Sequence, residues 1–188
     1  MVALGSHKSK VTQVLATGHG IVSACKDSEV KIWPASDGIS AGATPNFTGH
    51  ACAVTGGASS VKEVLRVPGA NQVLTRCTNG SLRLWKFESG LAAQFDYPTD
   101  VQAFSTCMDV CPVNEVVVMA RASGPMVALK LASLELIQEL APTQAQHGPV
   151  RSCRFSPDGK LLARGLKYLF TLEIRTPFSC KKPIFFLW

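Results

Sequence analysis

The chain has 188 residues, of which 46% are hydrophobic, 17% charged and 7% aromatic, and its formal net charge is +6. That apolar share excludes a disordered chain, and no apolar run approaches the ~18 residues that a membrane span requires. At roughly 100–200 residues per domain the length suits one domain or part of one, able to bury ~70% of its unfolded surface.

In chain order, Val11-Thr12-Gln13-Val14-Leu15 is predicted to be a strand. A hairpin follows from Gly20 to Trp33, with Asp27-Ser28 at its tight turn and Val30 and Ile32 on one face. An outer strand is expected at Gly42–Thr48. Val61–Val67 is the next strand, and a second hairpin runs from Gln72 to Trp85 around Asn79-Gly80. Leu91–Tyr97, Val101–Val110, Glu115–Ala122, Val127–Leu129 and Leu134–Leu140 continue the strand pattern. Val150–Phe155 then leads through Ser156-Pro157-Asp158-Gly159 into Lys160–Ala163.

Two segments align. Gly20–Trp33 and Gln72–Trp85 each carry Ser or Thr, then Asp or Asn in a turn four residues on, then alternating apolar residues ending in Trp. Trp33 and Trp85 are 52 residues apart. Such a period signals a stacked repeat of one supersecondary unit. With Ser156–Ala163 as a further Ser-Pro-Asp-Gly-type opening, residues 5 to about 163 resemble the WD40-repeat family. The resemblance implies an all-β fold of WD40-type β-propeller blades.

The blades are placed by their His and Trp positions. His19 lies 14 residues before Trp33, too few for three strands, whereas His7 lies 26 before it. The first blade is therefore about 7–33. The second is 50–85, from His50, with an insertion at Cys52–Ser60. The third, 101–130, is degenerate, with Lys130 where Trp is expected. The fourth, 147–163, starts at His147 and is incomplete, because Arg164 stands where Ser or Thr belongs. The ring is expected to be open or partial. Residues 1–163 form the partial propeller and 164–188 a divergent basic and aromatic tail. The break after Ala163 is read as a truncated isoform produced by alternative splicing; the alternative is a chain terminus that supplies an outer strand.

By resemblance, each blade can hold a hydrogen-bonded chain: Trp donates to Ser or Thr, whose hydroxyl donates to His, which donates to Asp. Blade one has His7, Ser23, Asp27 and Trp33. Blade two has His50, Thr75, Asn79 and Trp85. His147 and Asp158 belong to the fourth blade. A Ser, His and Asp grouping also suggests a catalytic triad. That reading is rejected, since the grouping recurs in each blade and is tied to a Trp that a hydrolase does not need. No catalytic, cofactor-binding or metal site is expected. HExxH and GxxxxGK[ST] are absent. The seven cysteines are odd in number and contain no CxxC pair, which fits reduced core residues.

The function implied is a non-catalytic scaffold docking other proteins in a multiprotein assembly. Motifs of cullin-ligase receptors and of phosphoinositide-binding propellers are missing. From Arg164 onward five basic residues face Glu173 alone, so association with a membrane surface or nucleic acid through this tail is an alternative. Specific nucleic-acid recognition is disfavoured, because no basic face is interleaved with aromatics. A truncated form with little independent function, or one competing with a longer form, is a further alternative. Met1–Lys10 has no signal-peptide core, so an intracellular setting, cytoplasmic or nuclear, is expected.

Overall fold

The computed structural model describes residues 6–18, 20–26, 28–34, 46–47, 60–87, 89–96, 104–122, 125–140, 149–166, 171–175 and 184–187. Every regular element among them is a β-strand. No helix is long and apolar enough to cross a membrane. The strands form four antiparallel sheets of four, each a meander in chain order. The first sheet contains β1 (Val11–Thr17), β2 (Gly20–Cys25), β3 (Val30–Pro34) and β4 (Asn46–Phe47). The second contains β5 (Val61–Arg66), β6 (Gln72–Cys77), β7 (Leu82–Lys86) and β8 (Gly90–Phe95). The third contains β9 (Ser105–Val110), β10 (Val116–Arg121), β11 (Met126–Lys130) and β12 (Leu136–Leu140). The fourth contains β13 (Val150–Phe155), β14 (Leu162–Leu166), β15 (Thr171–Arg175) and β16 (Ile184–Leu187). These are β-propeller blades. Two compact units divide the chain, Met1–Thr99 and Asp100–Trp188, with two sheets in each.

The repeat is visible in the register. Each first strand carries one extra residue opposite its partner: Thr12, Lys62, Thr106 and Arg151. Such a bulge bends the strand and increases its twist. Counted from these bulges, Val14↔Ser23, Val64↔Thr75, Met108↔Met119 and Cys153↔Arg164 are equivalent pairs.

In the first unit, Val22, Val30, Val61, Val64 and Trp85 belong to one apolar cluster. Burying each aliphatic side chain of this kind stabilises by roughly 1.5–3 kcal/mol. In the second unit, Val116, Val118, Ala128, Val150 and Leu162 form the corresponding core.

Two expectations change. The fourth blade, read as incomplete, has four strands, and β16 supplies its outermost one. The segment after Ala163 thus contributes strand pairing where a divergent tail was expected. In the third blade, the register places Leu129, not Lys130, at the position of Trp33 and Trp85. Lys130 is exposed and Leu129 is fully buried.

Candidate functional site: the hydrogen-bond chains inside the blades

Ser23 lies on β2 and Trp33 on β3, two strands of one hairpin. The Trp33 indole Nε1 donates to Ser23 Oγ at 2.8 Å. His7 Nε2 lies 2.6 Å from the same oxygen. The His7 ring meets the Trp33 ring edge-on, with centroids 6.4 Å apart and planes at 78°. Ser23 Oγ thus accepts from Trp33 and is joined to His7 as well. His7 Nδ1 stands 3.8 Å from Glu29 Oε2.

Glu29 was missed by sequence reasoning. It follows the hairpin turn by one residue beyond Ser28, and Lys31 Nζ lies 3.4 Å from its carboxylate. Lys31 also donates to the Ser6 carbonyl at 2.7 Å. An acid two residues after the turn's Asp, followed two further on by Lys, was the available signal. Asp27 lies outside the described residues, as do His50 and His147.

The second blade repeats the lower part of this chain. Trp85 Nε1 donates to Thr75 Oγ1 at 2.8 Å, and the Thr75 hydroxyl lies 3.3 Å from the Arg83 carbonyl. Trp85 and Thr75 are both buried. Asn79 Oδ1 accepts from the Ser81 amide at 3.1 Å and its hydroxyl at 2.9 Å, which organises the turn from β6 to β7. Arg83 corresponds in register to Lys31. It is buried, and its Nη1 donates to Asp96 Oδ1 at 2.8 Å and to the Phe95 carbonyl at 3.3 Å.

The third and fourth blades depart from this chemistry. Met119 occupies the Ser/Thr position and Leu129 the Trp position, both fully buried. Replacing both partners of a hydrogen bond by apolar groups of similar shape costs little, because no polar atom is orphaned. In the fourth blade Arg164 takes the Ser/Thr position and is only 2% exposed. Asp158 is a turn residue between β13 and β14 rather than a member of a buried chain. Its carboxylate accepts from the Ser156 hydroxyl at 2.5 Å and the Lys160 amide at 3.1 Å. The Ser156 hydroxyl first, and the Lys160 amide second, hold its carboxyl below the usual 3.8.

His7, Cys25 and Glu29 place one potential ligand atom each within 4.8 Å of one another. Two of these residues are already engaged within the blade. His7 Nε2 is joined to Ser23 Oγ at 2.6 Å. Cys25 Sγ is buried and directed at the Glu29 carbonyl, 3.5 Å away. A hydrolytic role for Ser23 is also opposed by geometry. Ser23 is 5% exposed and its oxygen is engaged by both Trp33 and His7.

Residues 2–34 and 138–165 match the family described as WD domain, G-beta repeat. The second match ends before β15 begins. Among solved structures the chain is similar to the computationally designed Ika4 protein, with a TM-score of 0.68 and 18% identity over 93% of this chain and 95% of that one. It is similar also to the computationally designed Ika8 protein, with a TM-score of 0.69 and 17% identity over 94% of this chain and 48% of that one. Both are designed β-propellers, and the likeness is one of fold. No curated protein matches the sequence.

Proposed function

We propose that this chain, a WD40-repeat protein made of β-propeller blades, is a non-catalytic scaffold that docks other proteins. Protein–protein assembly is what WD40 repeats generally mediate. The observation that carries the reading is the engagement of Ser23 by both Trp33 and His7. The side chains that most resemble catalytic groups are bonded to one another inside a blade. Recognition therefore falls to outward-facing residues.

The second unit presents such residues. Val113 is 61% exposed in the turn between β9 and β10, and Leu161 is 37% exposed in the turn between β13 and β14. These turns touch, since Asn114 Nδ2 donates to the Gly159 carbonyl at 3.4 Å. An intracellular setting belongs to the same proposal, supported by seven widely spaced cysteines.

Crosslinking of the tagged chain in cells, followed by mass spectrometry, tests the reading. Val113→Asp with Leu161→Asp is expected to lose specific partners while the urea midpoint stays unchanged. Retention of every partner by this variant would contradict docking at these turns. The basic residues after Arg164 support a second reading, association with an anionic surface. Lys181 and Lys182 lie outside the described residues. Binding of this kind falls steeply with salt and is lost when both lysines are neutralised.

A further inference from the structure

We propose that Cys107 and Cys153 are an oxidant-responsive pair that forms a disulfide between the third and fourth blades. Cys107 lies on β9 and Cys153 on β13, both within the second compact unit. Their sulfurs are 3.4 Å apart, with the Cys107 thiol directed at Cys153. The two residues are 7% and 4% exposed. Cys25 and Cys111 instead direct their sulfurs at the carbonyls of Glu29 and Gly159.

The pair occupies a seam that the first unit fills differently. Gln13 is the first residue after the bulge of β1, and Val64 the second after the bulge of β5. Gln13 bonds the Val64 main chain at that place. Cys107 is the first residue after the bulge of β9, and Cys153 the second after that of β13. The same two register positions therefore meet in both units, through an amide in one and through two thiols in the other. Asp109 fixes the strands beside the sulfurs. It accepts from Arg154 Nη1 at 2.9 Å and from the Phe155 amide at 2.7 Å. Arg164, itself buried, is directly across from Cys153 in register.

The oxidant is a hydroperoxide. The Cys153 sulfur, after losing its proton, attacks the terminal peroxide oxygen. An S–O bond forms, the O–O bond breaks, and the leaving alkoxide takes up a proton to become an alcohol. The Cys107 sulfur then attacks the sulfenic sulfur. The S–S bond forms, the S–O bond breaks, and hydroxide leaves with the Cys107 proton as water. Two thiols are oxidised to one disulfide while one hydroperoxide is reduced to an alcohol and water. Because both sulfurs are buried, the reaction waits on opening of the seam and is slower than at an exposed thiol. The product ties together residues separated by 46 positions, which restricts the unfolded chain.

The test treats the intact chain with hydrogen peroxide, blocks remaining thiols, and maps the peptides without reduction. The expected product is a Cys107–Cys153 linked peptide. The urea midpoint of the oxidised protein should rise and return after dithiothreitol. Cys107→Ala and Cys153→Ala should each abolish both the link and the rise. A map showing only other pairings, or these two thiols unlinked while oxidant is consumed, would overturn the proposal. So would a linked protein whose midpoint is unchanged or lower. The wild-type peptide map decides the matter even where a variant folds poorly.

Discussion

Gln13 and Val64 are joined by two hydrogen bonds that imitate a strand ladder between two sheets. The Gln13 amide Nε2 donates to the Val64 carbonyl at 2.9 Å, and the Val64 amide donates to Gln13 Oε1 at 2.6 Å. The side-chain amide supplies the donor and acceptor of a peptide group where no strand is paired. Thr12 adds a bond to the Val61 carbonyl at 2.6 Å. Gln13→Ala removes both partners of a main-chain residue whose side chain is fully buried. An expected loss of about 2–3 kcal/mol follows from leaving two such groups without partners. Urea unfolding followed by circular dichroism checks this, and a wild-type midpoint would refute the seam's importance.

Trp85 and Thr75 should behave as a coupled pair. Trp85→Phe withdraws the indole donor from Thr75 Oγ1 and is expected to cost about 1–2 kcal/mol. Thr75→Val alone should cost a similar amount, because the buried indole N–H loses its acceptor. Made together, the changes should cost about 1 kcal/mol less than their sum. Met119 and Leu129, buried at the same register positions of the third blade, are the natural precedent. Additive losses in a double-mutant cycle would show that the bond carries no coupling.

Gly159 combines a backbone demand with a spatial one. Its φ is +67°, and an added Cβ would lie 2.8 Å from Cys111 Sγ and 3.3 Å from Val113 Cβ. Gly69 has φ +70° with nothing within 4 Å. Gly69→Ala should therefore lose only the left-handed backbone cost of roughly 1–2 kcal/mol. Gly159→Ala should lose more, by about 1 kcal/mol or more for overpacking. Equal losses in the two variants would remove the steric part of this explanation.

The Asp158 turn predicts an acid-range effect. The folded-state pKa is depressed, chiefly by the Ser156 hydroxyl and then by the Lys160 amide. A depressed carboxyl contributes stability above its unfolded value of 3.8, and that contribution is lost as pH falls through the lower folded value. Asp158→Asn should be less stable than wild type at neutral pH, with the gap closing below pH 3.8. The gap will be small, because the carboxyl is exposed. Unfolding midpoints measured across the acid range test the sign, and a gap that widens with acid would contradict it.

Much of the fold was readable where local chemistry announces it. Strands β2, β3, β6 and β7 are apolar segments that flank Asp27-Ser28 and Asn79-Gly80 in the sequence, and Ser23 with Trp33 stand at the spacing that lets them bond. The third blade was readable as strands but not in register. Met119 and Leu129 form an apolar pair, and an apolar run gives no marker of which residue faces which. With Trp absent, the boundary slipped by one residue to Lys130. The end of the fourth sheet was hidden for a related reason. Arg164 removes the hydroxyl marker of β14, and β15, paired with β14, and β16, paired with β15, are defined by that pairing rather than by a motif. Contacts between blades were not readable at all. Gln13 with Val64 and Cys107 with Cys153 are separated by 51 and 46 positions, and no local pattern encodes such meetings.

We propose that the His7, Ser23 and Trp33 chain holds a blade together rather than serving a reaction. The most direct measurement is the urea midpoint of the intact chain carrying Ser23→Ala, with hydrolysis of an activated ester assayed in parallel. A structural role predicts a loss of about 1–3 kcal/mol, because the Trp33 indole and His7 lose their shared partner. It also predicts that any background hydrolysis is the same as in wild type. An unchanged midpoint together with loss of a measurable wild-type hydrolysis would contradict it.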